Sequence, residues 1–121
     1  MDVTGMSRSR SARRLVFIVE DHPVTRQGLV SLLKEQPDLL VCGEAATVQE
    51  AFEAVPAAEP DVVLTDLTLE DGNGLDLVKQ FHERLPGLKI LVVSMHDEAL
   101  YAERVLRAGA RGYVMKNASA S

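Results

Sequence analysis

The stretch DVVLT at residues 61–65 is a short apolar run of the kind that forms a buried β-strand, and two similar runs lie on each side of it. All five are nearly continuous in apolar residues rather than alternating with polar ones. Strands of this composition are typical of a parallel sheet that is covered on both faces. The runs are LVFIV (15–19), LLVCG (39–43), DVVLT (61–65), KILVVS (89–94) and GYVM (112–115).

The segments between these runs have the periodicity of amphipathic helices. Pro23 suits the first turn of one helix, and Thr47 with Glu50 forms a capping box at the start of the next. Pro86-Gly87 ends a third helix, and Gly109 ends a fourth. The positions that share an apolar face are Leu29, Leu32 and Leu33, then Val48, Ala51, Phe52 and Val55, then Leu75, Val78, Phe81 and Leu85, and lastly Ala102, Val105 and Leu106.

Strands that alternate with helices in this way predict an open parallel α/β sheet of the pattern (βα)₄β. Right-handed crossovers then place helices on both faces of the sheet. Sheets of this class bind ligands in the crevice outside the carboxyl ends of their strands. The residues that end each strand are therefore the first candidates for a functional site.

Composition and charge limit the classes of function. The chain has 121 residues, 46% of them apolar, which suits one compact domain. Residues 1–14 carry four Arg and one Asp with little to bury, so we predict a disordered leader, the alternative being a nucleic-acid-binding arm. Without the leader, nine basic and seventeen acidic side chains leave a net charge of −8. This charge argues against DNA or an anionic membrane as a direct partner.

The apolar runs and the cysteine content indicate a cytosolic protein. Leu15 to Val19 is five residues long, whereas a membrane-spanning helix needs about 20. The single cysteine, Cys42, lies within an apolar run and is interpreted as a small buried strand residue.

Polar residues of complementary chemistry follow the predicted strands. Glu20-Asp21, Asp66, Ser94 and Lys116 supply three carboxylates, a hydroxyl and an amine at one edge of the sheet. The carboxylates would repel one another unless a cation neutralised them, and an all-oxygen set favours Mg²⁺. An aspartate beside Mg²⁺, an ammonium and a hydroxyl can accept a phosphoryl group, because that reaction needs positioning and charge neutralisation above all.

Four segments that carry these residues resemble the signature segments of response-regulator receiver domains, especially those with a LuxR-type helix-turn-helix output. They are FIVEDHP (17–23), VVLTDLTLEDGNGLDL (62–77), ILVVSMHD (90–97) and AGARGYVMK (108–116). The resemblance spans residues 15–117 and implies a flavodoxin-like fold with strand order 2-1-3-4-5. The receiver domain is therefore expected at 15–121, after the leader that composition predicts at 1–14.

The resemblance assigns a role to each candidate residue. Asp66 is the phosphoacceptor, and the Mg²⁺ ligands are Glu20, Asp21, Asp66 and the Thr68 carbonyl. The remaining roles are those of Lys116 as the phosphoryl-contacting lysine, Ser94 as the switch hydroxyl and Tyr113 as the switch aromatic. The implied partner is a sensor histidine kinase, with DNA bound only through an output domain that this chain lacks. The implied activity is that of a signalling domain which catalyses only its own phosphorylation and dephosphorylation.

Two departures from the family pattern carry expectations of their own. Glu70, followed by Asp71, stands where the family commonly has proline, so a more mobile loop is expected there. The sequence stops at residue 121, where the family has a fifth helix. We therefore expect a fragment of a longer regulator whose uncovered sheet face is hidden by self-association, segment exchange or the leader.

Three other classes of protein share parts of this pattern. A haloacid-dehalogenase-type phosphatase also uses an aspartate at the end of a strand. Enzymes of that class resemble one another in having a second Asp two residues later, where this chain has Thr68. A flavodoxin would bind phosphate after the first strand, where Glu20 and Asp21 repel it. A pseudo-receiver that binds a partner without being phosphorylated is the third alternative, and acetyl phosphate discriminates it from a true receiver.

Overall fold

The structure, a computed structural model, describes residues 13–66, 68–69, 72–94 and 99–115. Of residues 68, 73, 94, 99–101 and 113–115 it describes the backbone alone. In chain order the elements are β1 (Arg14–Val19), α1 (Pro23–Lys34), β2 (Leu39–Ala45), α2 (Val48–Ala58), β3 (Val62–Asp66), β4 (Thr68–Leu69), β5 (Gly72–Asn73), α3 (Gly74–Arg84), β6 (Lys89–Ser94), α4 (Ala99–Ala108) and β7 (Gly112–Met115).

The five longer strands form one parallel sheet in the order β2-β1-β3-β6-β7. The expected order 2-1-3-4-5 is therefore confirmed, with the five apolar runs as its strands. β1 begins at Arg14, which pairs with Leu39, so the first strand starts one residue earlier than the sequence suggested. Residues 1–12 of the expected leader and the region of the fifth helix, after residue 115, lie outside the described residues.

One face of the sheet carries the main hydrophobic core. Phe17 and Val19 of β1 contribute to it, together with Val63 of β3 and Ile90 and Val92 of β6. Three helices cover this face with buried side chains, which are Ala51 and Val55 of α2, Leu77, Val78 and Phe81 of α3, and Val105 of α4. The predicted apolar faces of α2 and α3 are thus confirmed.

The opposite face is covered less completely. α1 contacts β1 and β2 and contributes no residue to the core cluster described above. A row of paired residues crosses this face from Ile18 to Leu64 and then to Leu91. Ile18 is fully buried, whereas Leu64 and Leu91 are only half-buried. Burial therefore decreases from β1 towards β6, away from the helix.

Two helix positions that the sequence assigned to apolar faces are exposed, and those two predictions are wrong. Leu32 of α1 is 60% exposed and Leu106 of α4 is 46% exposed. α1 has no buried residue at all. α1 rests mainly against β1 and β2, so part of its apolar stripe lacks a partner and periodicity overestimates what that helix buries.

The predicted helix boundaries have local causes. The Thr47 hydroxyl accepts a hydrogen bond from the Glu50 N–H at 3.1 Å, and the Glu50 carboxylate accepts one from the Ala46 N–H at 2.8 Å. Pro23 occupies the first turn of α1, as expected. Gly109 has a φ of +123°, a left-handed conformation that suits the residue after α4. None of the helices within the described ranges combines the length and apolar composition that crossing a bilayer requires.

Candidate functional site

The chain brings its acidic residues together at the carboxyl edge of the sheet. Glu20 and Asp21 directly follow β1, and Asp66 is the last residue of β3. Val19 pairs with Thr65, so Glu20 and Asp66 lie at the same level on adjacent parallel strands. The predicted convergence of these carboxylates is therefore a consequence of strand order and register.

Glu20 is a buried carboxylate. Its side chain is 1% exposed, and its Oε2 accepts a hydrogen bond from the His22 N–H at 3.2 Å. The Nδ1 of His22 lies 3.3 Å from the same oxygen. Burial of a charged group requires such partners because the group loses its hydration. Asp66 is also buried, at 9% exposure.

Asp21 presents an oxygen that lacks a partner. Its Oδ1 is buried and has no hydrogen-bond partner among the described residues. The Nδ1 of His22 lies 3.1 Å from it, without the alignment of a hydrogen bond. A buried oxygen of this kind is costly unless another group, such as a cation, meets it.

Glu20, Asp21, His22 and Asp66 together form a candidate metal site. Each offers one ligand atom, and these atoms all lie within 4.8 Å of one another. Two ligands on opposite sides of a Mg²⁺ ion, at about 2.1 Å each, would lie roughly 4.2 Å apart. The limit of 4.8 Å is slightly wider than this span, so small shifts of the side chains would bring the carboxylate oxygens, including the unpartnered Oδ1 of Asp21, into range of a small divalent cation.

The other predicted site residues are described in part. Ser94 ends β6 and pairs with Met115, and Tyr113 pairs with Val92 in the same part of the sheet. Thr68 begins β4, two residues beyond Asp66, and β4 with β5 forms a two-stranded antiparallel hairpin that the sequence did not suggest. The backbones of Ser94 and Thr68 thus lie near the carboxyl edge. Lys116 lies outside the described residues, as do Glu70 and Asp71.

Two residues of the site were missed by the sequence reasoning. His22 was not among the predicted site residues, and its side chain is 73% exposed, yet it contacts both Glu20 and Asp21. Arg26 donates a hydrogen bond from Nη1 to the Glu20 carbonyl at 2.7 Å. The only signal in the sequence was their position, directly after the acidic pair and within the first turn of the following helix.

Comparisons with known proteins assign this chain to a family. The model of the response regulator receiver domain matches residues 16–121. The DNA-binding transcriptional activator DevR/DosR of Mycobacterium tuberculosis is 47% identical over 104 residues, covering 84% of this chain and 47% of the relative. The oxygen regulatory protein NreC of Staphylococcus haemolyticus is 39% identical over 104 residues, and the match covers 85% of this chain and 48% of the relative. The chain thus spans about half the length of the curated relatives it matches.

Solved structures agree with these matches. A LuxR-family two-component response regulator from Aurantimonas sp. SI85-9A1 has a TM-score of 0.83 at 33% identity, covering 86% of this chain and 74% of its own. The signal receiver domain of a response regulator NarL from Mycobacterium tuberculosis has a TM-score of 0.82 at 30% identity, and the match covers 87% of this chain and 85% of that domain's chain. This chain therefore belongs to the family of response regulator receiver domains and is of the LuxR/NarL type.

Proposed function

We propose that Asp66 accepts a phosphoryl group from the phosphohistidine of a sensor histidine kinase. A carboxylate oxygen of Asp66 would form the new bond to phosphorus, while the bond from phosphorus to the histidine nitrogen breaks and leaves its electron pair on the imidazole. The observation that carries the proposal is the convergence of Glu20, Asp21 and Asp66 at one edge of the sheet. Asp66 is buried, and it is the last residue of its strand, which places it at the edge where sheets of this class bind ligands.

The acidic group is proposed to hold Mg²⁺ through Glu20, Asp21, Asp66 and the Thr68 carbonyl. A bound Mg²⁺ would neutralise the carboxylates and the charge that develops on the phosphoryl oxygens. Support comes from the unpartnered Oδ1 of Asp21 and from the spacing of the carboxylate oxygens. An oxygen-rich set of this kind is the one that Mg²⁺ prefers.

Ser94, Lys116 and Tyr113 are proposed to respond to the phosphoryl group. The Lys116 ammonium would pair with a phosphoryl oxygen, and the Ser94 hydroxyl would donate a hydrogen bond to another. Tyr113 would then turn into the space that Ser94 leaves. The support is that Ser94 ends β6 and that Lys116 follows β7 directly in the chain. The change is a shift between two populations, which is limited by how much better the phosphoryl group binds one of them.

The proposed role is signalling rather than metabolic catalysis, with transfer and loss of the group on Asp66 as the only reactions. The relative DevR/DosR is described as a DNA-binding transcriptional activator. We propose by analogy that this receiver controls a DNA-binding output domain. The kinase and the DNA both imply that it works in the cytoplasm.

Intact-mass analysis after incubation with acetyl phosphate and Mg²⁺ tests the proposal. The expected result is one added phosphoryl group on the wild-type chain and none on Asp66→Asn. Asp76→Asn, which changes an exposed carboxylate on α3, is the matched control and should retain the adduct. No adduct on the wild-type chain with any divalent metal would instead support a pseudo-receiver.

We also propose that a second copy of this chain covers the sheet face beside α1. The support is the decrease in burial from Ile18 to Leu64 and Leu91, together with the absence of a buried residue on α1. Partly exposed Leu side chains on adjacent strands form an apolar surface that association would remove from water.

A further inference from the structure

Arg26 bridges three segments beside the acidic group. Its Nη1 donates to the carbonyl of Glu20 at 2.7 Å, and its Nε lies 3.4 Å from Oε1 of Glu44, near the end of β2. The Arg26 side chain is 21% exposed, and that of Glu44 is 44% exposed. One guanidinium therefore connects α1, the residue that follows β1, and the end of β2.

The backbone of Glu20 is held from both sides. Its N–H donates to the carbonyl of Ala45, the last residue of β2, at 2.9 Å. Its carbonyl accepts from Arg26, at a point where β1 has already ended at Val19. A buried carbonyl that has left the sheet needs a new partner, and the guanidinium supplies it.

The turn after Glu20 is closed by backbone hydrogen bonds and by the Glu20 carboxylate. The Arg26 N–H donates to the His22 carbonyl at 2.9 Å, and the His22 N–H donates to Oε2 of Glu20 at 3.2 Å. The segment from Glu20 to Arg26 thus forms a hydrogen-bonded loop around Asp21. The Glu20 carboxylate is tied directly into this loop through the His22 N–H, and Asp21 lies within the same loop.

The charge of Arg26 and its positioning role would affect cation binding in opposite directions. A guanidinium near the site repels a divalent cation, so its removal would strengthen binding if charge dominated. Loss of the bonds that orient the ligands would weaken binding, as substitutions of residues that orient metal ligands usually do. The sign of the change therefore separates the two effects.

We propose that Arg26 is a positioning residue, anchored by Glu44, which holds Glu20 and Asp21 in the orientation that binds a divalent cation. The inference rests on the proposed function only for the use of that cation in phosphoryl transfer. Binding of the cation itself is measurable without phosphorylation.

Isothermal titration calorimetry with Mg²⁺ tests the proposal on the wild-type chain and on four variants. Arg26→Ala should raise the Kd about tenfold or more, in line with the 10- to 100-fold effect of such residues. Arg26→Lys should also raise it, because one ammonium lacks the fork that makes both contacts. Glu44→Gln should raise the Kd less, because it removes only the charge that anchors Arg26. Arg107→Ala, which removes an exposed arginine 3.6 Å from Glu103 on α4, is the matched control and should leave it unchanged.

An unchanged or lower Kd in Arg26→Ala would overturn the proposal. An equal rise in Arg107→Ala would overturn it as well. Circular dichroism in metal-free buffer checks folding, and if Arg26→Ala is unfolded, Arg26→Lys and Glu44→Gln decide the outcome by the same criterion.

The Mg²⁺ dependence of phosphorylation by acetyl phosphate provides a second measurement. In Arg26→Lys the Mg²⁺ concentration for half-maximal rate should rise, while the rate at saturating Mg²⁺ should return close to the wild-type value. A rate that remains low at saturating Mg²⁺ would contradict a positioning role. If the wild-type chain takes up no phosphoryl group, the proposed function fails, whereas the calorimetric comparison still decides the role of Arg26.

Discussion

Gly43 is a position where an added methyl group has no room. A Cβ there would lie 2.5 Å and 2.8 Å from two atoms of the buried Phe17 ring, which packs against the glycine across the β1–β2 pair. Gly43→Ala must therefore displace a core side chain. We expect it to lower the free energy of unfolding by about 1–3 kcal/mol, the usual effect of overpacking. Urea unfolding followed by circular dichroism measures the change.

Gly28 provides the matched control for that substitution. It lies within α1, and nothing is found within 4 Å of the position of its added Cβ. Gly28→Ala should raise the free energy of unfolding by about 0.5–1 kcal/mol, because alanine has the higher helix propensity. Equal effects of the two substitutions would show that contact with Phe17 does not limit position 43.

The environment of Cys42 leads to a prediction about how stability depends on pH. Burial, and to a smaller extent the negative charge of Asp61, raises the pKa of the Cys42 thiol. The folded chain thus holds the thiol proton more tightly than the unfolded chain. This contribution to stability is present below the ordinary pKa of the thiol and is lost as the pH rises through the folded value.

Alkylation by iodoacetamide measures that shift directly, since Cys42 is the single cysteine of the chain. The thiolate is the reactive form, so the rate against pH should reach its midpoint at a higher pH in the folded protein than in denaturant. A midpoint at the same or a lower pH would contradict the effect of burial.

The acidic residues of the site could be predicted from the sequence, and their neighbours could not. Glu20, Asp21 and Asp66 follow apolar runs, and the carboxyl ends of parallel strands share one edge of a sheet. Contacts of His22 and Arg26 depend instead on how the chain turns between β1 and α1. That turn is set by hydrogen bonds between atoms that no periodicity describes.

At the scale of elements, the Thr47 cap decides where α2 begins. The Thr47 hydroxyl accepts from the Glu50 N–H, one of the N–H groups at a helix start that have no partner within the helix. Thr47→Ala should lower the free energy of unfolding by about 1 kcal/mol. Thr47→Ser keeps the hydroxyl and should remain close to the wild type in the same denaturation experiment. An unchanged free energy of unfolding in Thr47→Ala would show that the hydrogen bond from the Ala46 N–H to the Glu50 carboxylate is enough to fix the start of α2.

The elements themselves were largely predictable, because continuous apolar runs and helix-ending residues act locally. The exposure of Leu32 and Leu106 was not predictable, since it depends on how far neighbouring elements extend. The β4–β5 hairpin was also missed. Its strands, Thr68–Leu69 and Gly72–Asn73, are two residues each and too short to produce a periodic signal.

At the scale of the whole molecule, the two faces of the sheet differ in how much they bury. Three helices cover one face and complete its core. On the other face Val16 and Ile18 are buried, whereas Leu64 and Leu91 are half-buried. The free energy available from association is therefore concentrated on the side towards β6, because apolar area that is still in contact with water is what burial can stabilise.

Sedimentation velocity at increasing protein concentration tests whether a second copy uses this face. We expect the wild-type chain to dimerise, and Leu91→Lys to raise the dimer Kd about tenfold or more, a change of about 1.4 kcal/mol, because a lysine at an apolar contact must lose hydration. Leu106→Lys places the same charge on the exposed side of α4 and should leave the Kd unchanged. Circular dichroism verifies that both variants fold. A wild-type chain that stays monomeric, or a dimer that Leu106→Lys weakens instead, would show that this face is not the one through which two copies meet.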